Sequence, residues 1–295
     1  MKYSKACFSS IKVEAMIKTR TWNYIDIPIV DSVFPGGEEY IRLDREVDQA
    51  CSFKITARLQ SSKSIMQLLM VKNALDNAYP KSYIEVVIPY LPYARQDRVC
   101  SAGEAFSLEV MLKIIDSMKF NHVQLFDVHN SGALTSLESI CDVKGKWDIL
   151  KPRIGEKIRG LGGDLDLVLV SPDRGAELEV NGIAKNIRAI AGGSVRVVLS
   201  HKERSPDGLS ISIKNKIISD KYFIIDDICD GGMTFIKLAE QLKEINPASK
   251  IYLYVTHGIF SKGLEVFDGL IDKIYTTNTF ETEHESEKLI KEKIL

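Results

Sequence analysis

The residues best suited to chemistry lie in the stretch 222–234, where an apolar, β-prone run ends at two adjacent carboxylates. Asp226 and Asp227 are followed by Gly231 and Gly232, and a helix-like apolar segment begins directly afterwards. This order predicts a buried strand, a tight turn and the first turn of a helix. Backbone N–H groups in such a turn converge with the helix N-terminus, where they can bind a phosphate, and the two carboxylates can bind sugar hydroxyls.

An ordinary strand-to-helix turn with an acidic N-cap is the competing interpretation of the same stretch. That interpretation would be favoured for a single Asp-Gly-Gly. Here two adjacent acids come directly after an apolar run, which makes the ordinary turn the weaker explanation. We therefore expect a phosphate-binding turn with a sugar beside it.

Other polar groups follow predicted strands at their carboxyl ends. Arg95 and Gln96 follow the predicted strand 83–91, and His129 closes the predicted strand 122–129. An open α/β sheet places its ligands at this edge. On charge alone, a solvated loop explains the arginine and glutamine about equally well, and a hydrogen-bonded structural histidine is the default for His129.

The elements that must position these groups alternate between strand and helix after a strand-rich entry in residues 1–60. The predicted helices are 64–79, 103–119, 151–159, 178–187, 233–245 and 262–270. A weakly patterned segment at 133–147 interrupts the alternation and predicts a domain junction. The predicted division is 1–145, 146–280 and a charged, helical segment at 281–295. Residues 205–220 are predicted to form a mobile hairpin arm that could close over an anion.

Composition restricts the class of protein. The 295 residues carry 39 basic and 40 acidic side chains, and a formal net charge of −1 argues against a nucleic-acid surface. No apolar segment approaches the ~20 residues that span a bilayer, and no signal-length segment begins the chain. The 5 cysteines are widely spaced without a Cys-x-x-Cys pair, so reduced thiols are expected. These features predict a soluble, cytoplasmic protein without a nucleic-acid or membrane partner.

A series of motifs along residues 24–280 resembles the ribose-phosphate pyrophosphokinase family, also called phosphoribosyl diphosphate synthases. In chain order the motifs are Phe34-Pro35-Gly36-Gly37-Glu38, Tyr93-Ala94-Arg95-Gln96-Asp97-Arg98, Asp127-Val128-His129, Val170-Ser171-Pro172-Asp173, His201-Lys202-Glu203-Arg204, Asp226 to Thr234, Thr256-His257-Gly258-Ile259-Phe260-Ser261 and Thr277-Asn278-Thr279. Each motif is ordinary alone, but their shared order is specific. The resemblance implies an α/β fold of two phosphoribosyltransferase-like (flavodoxin-like) domains, each a mainly parallel sheet flanked by helices.

By that resemblance, the chain would be a ribose-phosphate diphosphokinase. Such an enzyme transfers the β,γ-diphosphoryl group of ATP to the C1 hydroxyl of ribose 5-phosphate, giving phosphoribosyl diphosphate and AMP. The family's ATP-binding residues match Phe34, Gly36, Gly37, Glu38, Arg95 and Gln96. In the family the first four of these act from a neighbouring subunit. The resemblance therefore implies a homo-oligomer, at least a dimer, with ATP sites near subunit interfaces.

The resemblance also assigns the reacting groups. Lys202 and Arg204 match the family's catalytic basic pair, while His129 and Asp173 match its Mg²⁺-site residues. Preorganised cations and a metal stabilise the negative charge that spreads over phosphoryl oxygens during transfer. Binding of ribose 5-phosphate is assigned to Arg204, Asp226, Asp227, Asp230, Gly231, Gly232, Met233 and Thr234.

The chain departs from the family pattern at several points. Gly231 replaces a usual threonine, and Met233 stands where glycine is common. Residues 1–23 resemble an irregular or strand-paired extension rather than the usual first helix, and the closing strand and helix are shortened. Two alternatives remain open. A catalytically silent, synthase-like regulatory subunit is supported only by the two substitutions, and a type I phosphoribosyltransferase leaves the Arg95 loop and the first domain without a role.

Overall fold

The computed structural model describes residues 10–18, 22–47, 50–158, 165–205 and 208–295. The chain divides into two compact units, Met1–Lys144 and Gly145–Leu295. Each unit contains a mainly parallel sheet with helices against it, so the expected α/β fold is confirmed. Within the described ranges, no helix is both long enough and apolar enough to cross a membrane.

The first unit is a six-stranded sheet with a separate hairpin. Its strands are β1 (Ile11–Lys18), β2 (Trp22–Ile27), β3 (Ile29–Val33), β4 (Glu39–Leu43), β5 (Ala50–Ala57), β6 (Tyr83–Ile88), β7 (His122–Phe126) and β8 (Cys141–Lys144), and its helices are α1 (Ser62–Ala78) and α2 (Ser107–Ser117). The sheet order is β2-β1-β5-β6-β7-β8, and β3 pairs only with β4. Strands β5 to β8 run parallel, whereas β1 is antiparallel to both of its neighbours.

The antiparallel entry is explained by how its strands are connected. Parallel neighbours need a crossover of a dozen or more residues, usually a helix, and the described residues between β1 and β5 form no helix. The strand-paired extension expected for residues 1–23 is confirmed for its described part, since β1 pairs with β2 and β5. Residues 1–9 and 19–21 lie outside the described ranges.

The second unit is a seven-stranded sheet. Its elements are α3 (Lys146–Ile158), β9 (Asp166–Ser171), α4 (Glu177–Ala191), β10 (Ser194–Ser205), β11 (Gly208–Ile213), β12 (Lys221–Cys229), α5 (Met233–Ile245), β13 (Lys250–Gly258), β14 (Lys273–Thr277) and β15 (Leu289–Glu292). The order is β11-β10-β9-β12-β13-β14-β15, and only β11 is antiparallel. Alternate residues of β12 face opposite cores, Ile224 with α5 and Ile225 with α4.

Two helices predicted for this unit are wrong. The segment 262–270 contains only a 3-10 turn at Glu265–Phe267, flanked by Gly263 and Gly269 in left-handed backbone conformations that interrupt a helix. The segment 281–295 ends in β15, which pairs with β14. Pairing with an open sheet edge outweighs the weak helix preference of a short charged segment.

Candidate functional site

The turn between β12 and α5 has the strand, turn and helix that the sequence predicts. Gly232 precedes the helix at φ 77°, and a Cβ there would lie 2.5 Å from Cζ of buried Phe267. Only glycine fits this position without strain. The backbone N–H groups of residues 231–234 donate hydrogen bonds to no described residue. They are the unsatisfied amides of a helix N-terminus, the group that binds anions.

The two adjacent carboxylates lie in the carboxyl-terminal half of the same strand. The Asp227 N–H donates to Asp226 Oδ1 over 2.9 Å, and the Asp227 side chain is 8% exposed. Burial, followed by the negative charge of Asp227, raises the pKa of Asp226 well above its ordinary value. Hydroxyl donors from a bound sugar would stabilise the ionised carboxylate and offset part of this cost.

A buried lysine that sequence reasoning missed supplies the countercharge. Lys146 begins α3 with a side chain only 2% exposed, and its Nζ lies 2.6 Å from Glu179 Oε2 on α4. Its positive charge lowers the pKa of Asp226, against the larger effect of burial. The sequence carries no signal for this role, because a lysine at a helix start is usually solvated.

Asp173 lies in the turn from β9 to α4, where it is held from several sides. Its Oδ1 accepts hydrogen bonds from the N–H groups of Gly175 at 2.9 Å and Ala176 at 3.2 Å, the pattern of an Asx turn. The Ser171 hydroxyl donates to the Asp173 carbonyl over 2.8 Å. Its Oδ2 accepts no hydrogen bond from a described residue, so one carboxylate oxygen remains for a ligand.

Val170 of β9 pairs with Val198 of β10 on one side and with Ile224 of β12 on the other, and these three residues form one row across the sheet. Lys202 follows that row on β10. Asp173 and Asp226 also follow that row, so all three lie at the carboxyl edge of the sheet. The predicted hairpin arm is present, since Lys202 pairs with Ile211 of β11.

The arm is fixed at its base. Asn215 accepts from the Leu199 N–H at 2.7 Å and donates to the Val197 carbonyl at 2.8 Å, and Ile211 packs in the core beside α5. The Arg204 backbone belongs to β10, and its side chain lies outside the described part. Residues 206 and 207 at the arm's tip are also outside it.

The motifs at the ends of β13 and β14 form a buried polar network. The Thr256 carbonyl accepts hydrogen bonds from the hydroxyls of Thr277 at 2.8 Å and Thr279 at 2.9 Å. His257 Nδ1 lies 2.8 Å from the Thr279 hydroxyl. All of these residues are buried, so the network fixes the strand ends from which the next loop departs.

That loop contacts the phosphate-binding candidate directly. The Ser261 hydroxyl donates to Asp230 Oδ1 over 2.5 Å, and the N–H groups of Ile259 and Phe260 donate to the Cys229 carbonyl. The sequence motif contained Ser261 but gave it no role. A contact between residues 31 positions apart cannot be read from local spacing.

In the first unit, the residues matched to ATP binding form the tip of the β3–β4 hairpin and a loop after β6. Phe34, Gly36, Gly37 and Glu38 are all exposed at the tip, and Phe34 is 39% exposed beside the Tyr40 ring. The hairpin is tied to α1 by Glu39, which lies 3.3 Å from Lys63 Nζ and accepts from Gln67 at 3.3 Å.

The loop carrying Arg95 and Gln96 is joined to the loop carrying His129. Asn130 Nδ2 donates to Asp97 Oδ2 over 2.7 Å, and Arg95, Gln96 and His129 are all exposed. The structure thus brings these three residues to one edge of the first sheet. Sequence reasoning missed Asn130, which makes the tie.

Non-glycine residues adopt left-handed backbone conformations just upstream of these side chains. Tyr93 has φ 65° before Arg95, and Asp127 has φ 41° before His129. Such strain costs about 1–3 kcal/mol per residue and concentrates at functional sites. Among the described residues, no three His, Cys, Asp or Glu side chains group closely enough to hold a metal by themselves.

Comparisons with known proteins identify the family of the chain. The family model for the N-terminal domain of ribose phosphate pyrophosphokinase matches residues 14–118, and that for a phosphoribosyl synthetase-associated domain matches residues 195–295. The ribose-phosphate pyrophosphokinase of Pyrococcus furiosus is 30% identical over 84% of this chain and 85% of its own length. That of Thermococcus kodakarensis is 31% identical over 84% of each chain.

A solved structure supports the fold. The crystal structure of phosphoribosylpyrophosphate synthetase from Mycobacterium smegmatis matches with a TM-score of 0.74 at 23% identity, covering 91% of this chain and 86% of that one. The sequence relatives carry the family assignment, since their identity extends over most of both chains. The chain therefore belongs to the ribose-phosphate pyrophosphokinase family.

Proposed function

We propose that the chain transfers the β,γ-diphosphoryl group of ATP to the C1 hydroxyl of ribose 5-phosphate. The observation that carries this proposal is the β12–α5 turn, in which unpaired amides lie beside two carboxylates. Membership of the pyrophosphokinase family supplies the reaction class.

The sugar phosphate is bound by the second unit. Amides of residues 231–234 and the Thr234 hydroxyl bind the 5-phosphate at the helix N-terminus. Asp226 and Asp227 accept hydrogen bonds from ribose hydroxyls, and Asp230 is held beside them by Ser261. The sugar is thereby oriented with its C1 hydroxyl toward the arm that carries Lys202 and Arg204.

In the transfer step, the C1 oxygen attacks the β-phosphorus of ATP. The bond from that phosphorus to the α,β-bridging oxygen breaks, AMP leaves with the oxygen, and the hydroxyl proton passes to solvent. Lys202 and Arg204 bind the phosphoryl oxygens and stabilise their growing negative charge. A basic pair on a paired hairpin is preorganised for this role.

The residues matched to the metal site fit Mg²⁺. Asp173 keeps one carboxylate oxygen without a hydrogen bond to described residues, and Mg²⁺ takes few protein ligands while retaining waters and phosphate oxygens. The family resemblance matches His129, an exposed residue of the first unit, to the same role. When bound, the ion would neutralise part of the triphosphate charge.

The nucleotide is bound by Arg95 and Gln96 together with the hairpin tip of a second copy of the chain. Exposure of Phe34 and its neighbours supports a role in a contact between chains. The proposal therefore includes a homo-oligomer, at least a dimer. A reducing, cytoplasmic setting completes it, because Cys100, Cys141 and Cys229 are free thiols.

The test is incubation with ATP, Mg²⁺ and ribose 5-phosphate, with chromatographic measurement of AMP. AMP that forms only when the sugar is present is the expected result. Ligand binding without turnover would instead indicate a regulatory subunit. Release of diphosphate from phosphoribosyl diphosphate and a nucleobase would indicate a phosphoribosyltransferase.

A further inference from the structure

A lysine from outside the matched motif lies over the glycine that replaces the family's usual threonine. A Cβ built on Gly231 would lie 3.5 Å from Lys262 Cε, 3.6 Å from Cδ and 3.8 Å from Cγ. The stem of Lys262 therefore runs along this residue, and its ammonium is one bond beyond the atom that comes nearest. A threonine hydroxyl at 231 would also stand one bond from that Cβ.

The position of Lys262 is fixed by its neighbours. Ser261 is hydrogen-bonded to Asp230, and the Gly263 N–H donates to the carbonyl of Phe260 over 2.9 Å. Phe260 is fully buried against Phe267, the ring that also limits Gly232. The turn that carries Lys262 is thus anchored to the same residues that shape the β12–α5 turn.

The charge of Lys262 is not used elsewhere in the described part of the chain. Its side chain is exposed, and its ammonium makes no ion pair or hydrogen bond with a described residue. The amides of residues 231–234 beside it are likewise without described partners. The stem of a lysine thus lies against a turn whose backbone N–H groups have no partner among the described residues.

We propose that Lys262 is a binding residue for the 5-phosphate of the sugar, supplying a charge where Gly231 supplies no hydroxyl. The inference rests on the proposed function, since it assigns one more contact to the same sugar-phosphate site. Lysine binds phosphate as a point charge and needs no planar geometry. This suits an exposed side chain that approaches the β12–α5 turn from a neighbouring loop. The replaced threonine and the added lysine then form one compensated change.

The test compares wild type with Lys262→Met, which keeps the stem and removes the charge. The KM for ribose 5-phosphate should rise about tenfold, as expected for loss of a charge-assisted hydrogen bond, with kcat and the KM for ATP little changed. Lys262→Arg should restore most of the affinity. Lys250→Met, an exposed lysine at the opposite end of β13, should leave all three constants unchanged.

Calorimetric titration with ribose 5-phosphate in the absence of ATP separates the two proposals. Weaker binding by Lys262→Met than by wild type supports the inference even if the wild type makes no AMP, in which case only the proposed function fails. Equal affinity of the two proteins overturns the role of Lys262 while leaving an active enzyme intact. A wild type that binds no ribose 5-phosphate overturns both.

Discussion

The candidate residues of the second unit are held by contacts within that unit, whereas those of the first unit project from exposed loops. Asp173 accepts hydrogen bonds from two backbone amides, Asp230 accepts one from Ser261, and the charge of buried Lys146 lowers the pKa of Asp226 against the larger effect of burial. Among the described residues, the hydrogen bonds of the tip around Phe34 are those of its own turn, its ring contact is to Tyr40, and Glu39 next to the tip connects the hairpin to α1.

This difference bears on the proposed function. Groups already held in place lose little conformational entropy when a ligand binds, so a sugar bound at the second unit, as proposed, would meet a preorganised site. Exposed groups interact through water, which weakens every electrostatic contact until a further surface excludes it. On the proposed function, the nucleotide end would be completed by a second copy of the chain.

The largest expected effect comes from removing the arm's ammonium. Lys202→Ala should lower kcat by about 10³-fold, because an electrostatic contact to the transferring phosphoryl group is lost. The free energy of unfolding should hardly change, since the side chain makes no ion pair among the described residues. Steady-state kinetics and urea unfolding measure the two effects.

Lys221→Ala is the matched control, because Lys221 is exposed at the amino end of β12, away from the site. It should retain wild-type turnover. Near-normal turnover of Lys202→Ala would contradict the proposed catalytic role of Lys202 in the second unit.

The next effect tests how rigidly the β12–α5 turn is built. Gly232→Ala should lower the free energy of unfolding by roughly 3 kcal/mol, from left-handed strain and the collision with Phe267. Gly231→Ala should change it by less than about 0.5 kcal/mol, since that Cβ would make only ordinary contact with Lys262. Chemical denaturation of the two variants gives the comparison. Equal losses of unfolding free energy in the two variants would mean that Gly232 is no more closely packed than Gly231.

A smaller, pH-dependent effect on the free energy of unfolding is expected from substitution of Asp226. The raised pKa of Asp226 means that the folded protein binds more protons than the unfolded chain above pH 3.8, so stability falls as pH rises toward the raised value. Asp226→Asn removes this loss and should be increasingly more stable than wild type over that window. Urea unfolding at several pH values measures the trend.

The same substitution should weaken sugar binding. Replacing an ionised acceptor should raise the KM for ribose 5-phosphate by about tenfold or more, so stability and function change in opposite directions. A variant that is both less stable and fully active would contradict the sugar-binding role of Asp226.

Local pattern was sufficient for the elements of the second unit that carry the acids. The run before Asp226 is buried on both faces, and the glycines after it mark the turn, so strand and helix were predicted correctly. The helices predicted for 262–270 and 281–295 were wrong. The conformation of the first segment depends on a buried ring, and that of the second depends on pairing with β14.

The partners that hold the site could not be predicted in the same way. Lys146 of α3 is bonded to Glu179 of α4 and acts on Asp226 through its charge, and Ser261 contacts Asp230 from the loop that follows the neighbouring strand β13. Such contacts join residues distant in sequence, for which no spacing rule exists. The family resemblance identified the candidate site residues, and the structure identified the contacts that hold them in place.

The smallest expected effect concerns the exposed tip of the first unit. Phe34→Ala should raise the KM for ATP about tenfold, if the ring packs on adenine across a chain contact, and should leave the free energy of unfolding within about 0.5 kcal/mol. Tyr24→Ala, another exposed aromatic of this unit at 57% exposure, is the control. If the tip contributes to the ATP site of another chain, as proposed, the specific activity should also fall when the enzyme is diluted. Sedimentation would identify the concentration at which the protein is a monomer. Unchanged activity per chain at that concentration would show that one chain contains both the nucleotide site and the sugar site.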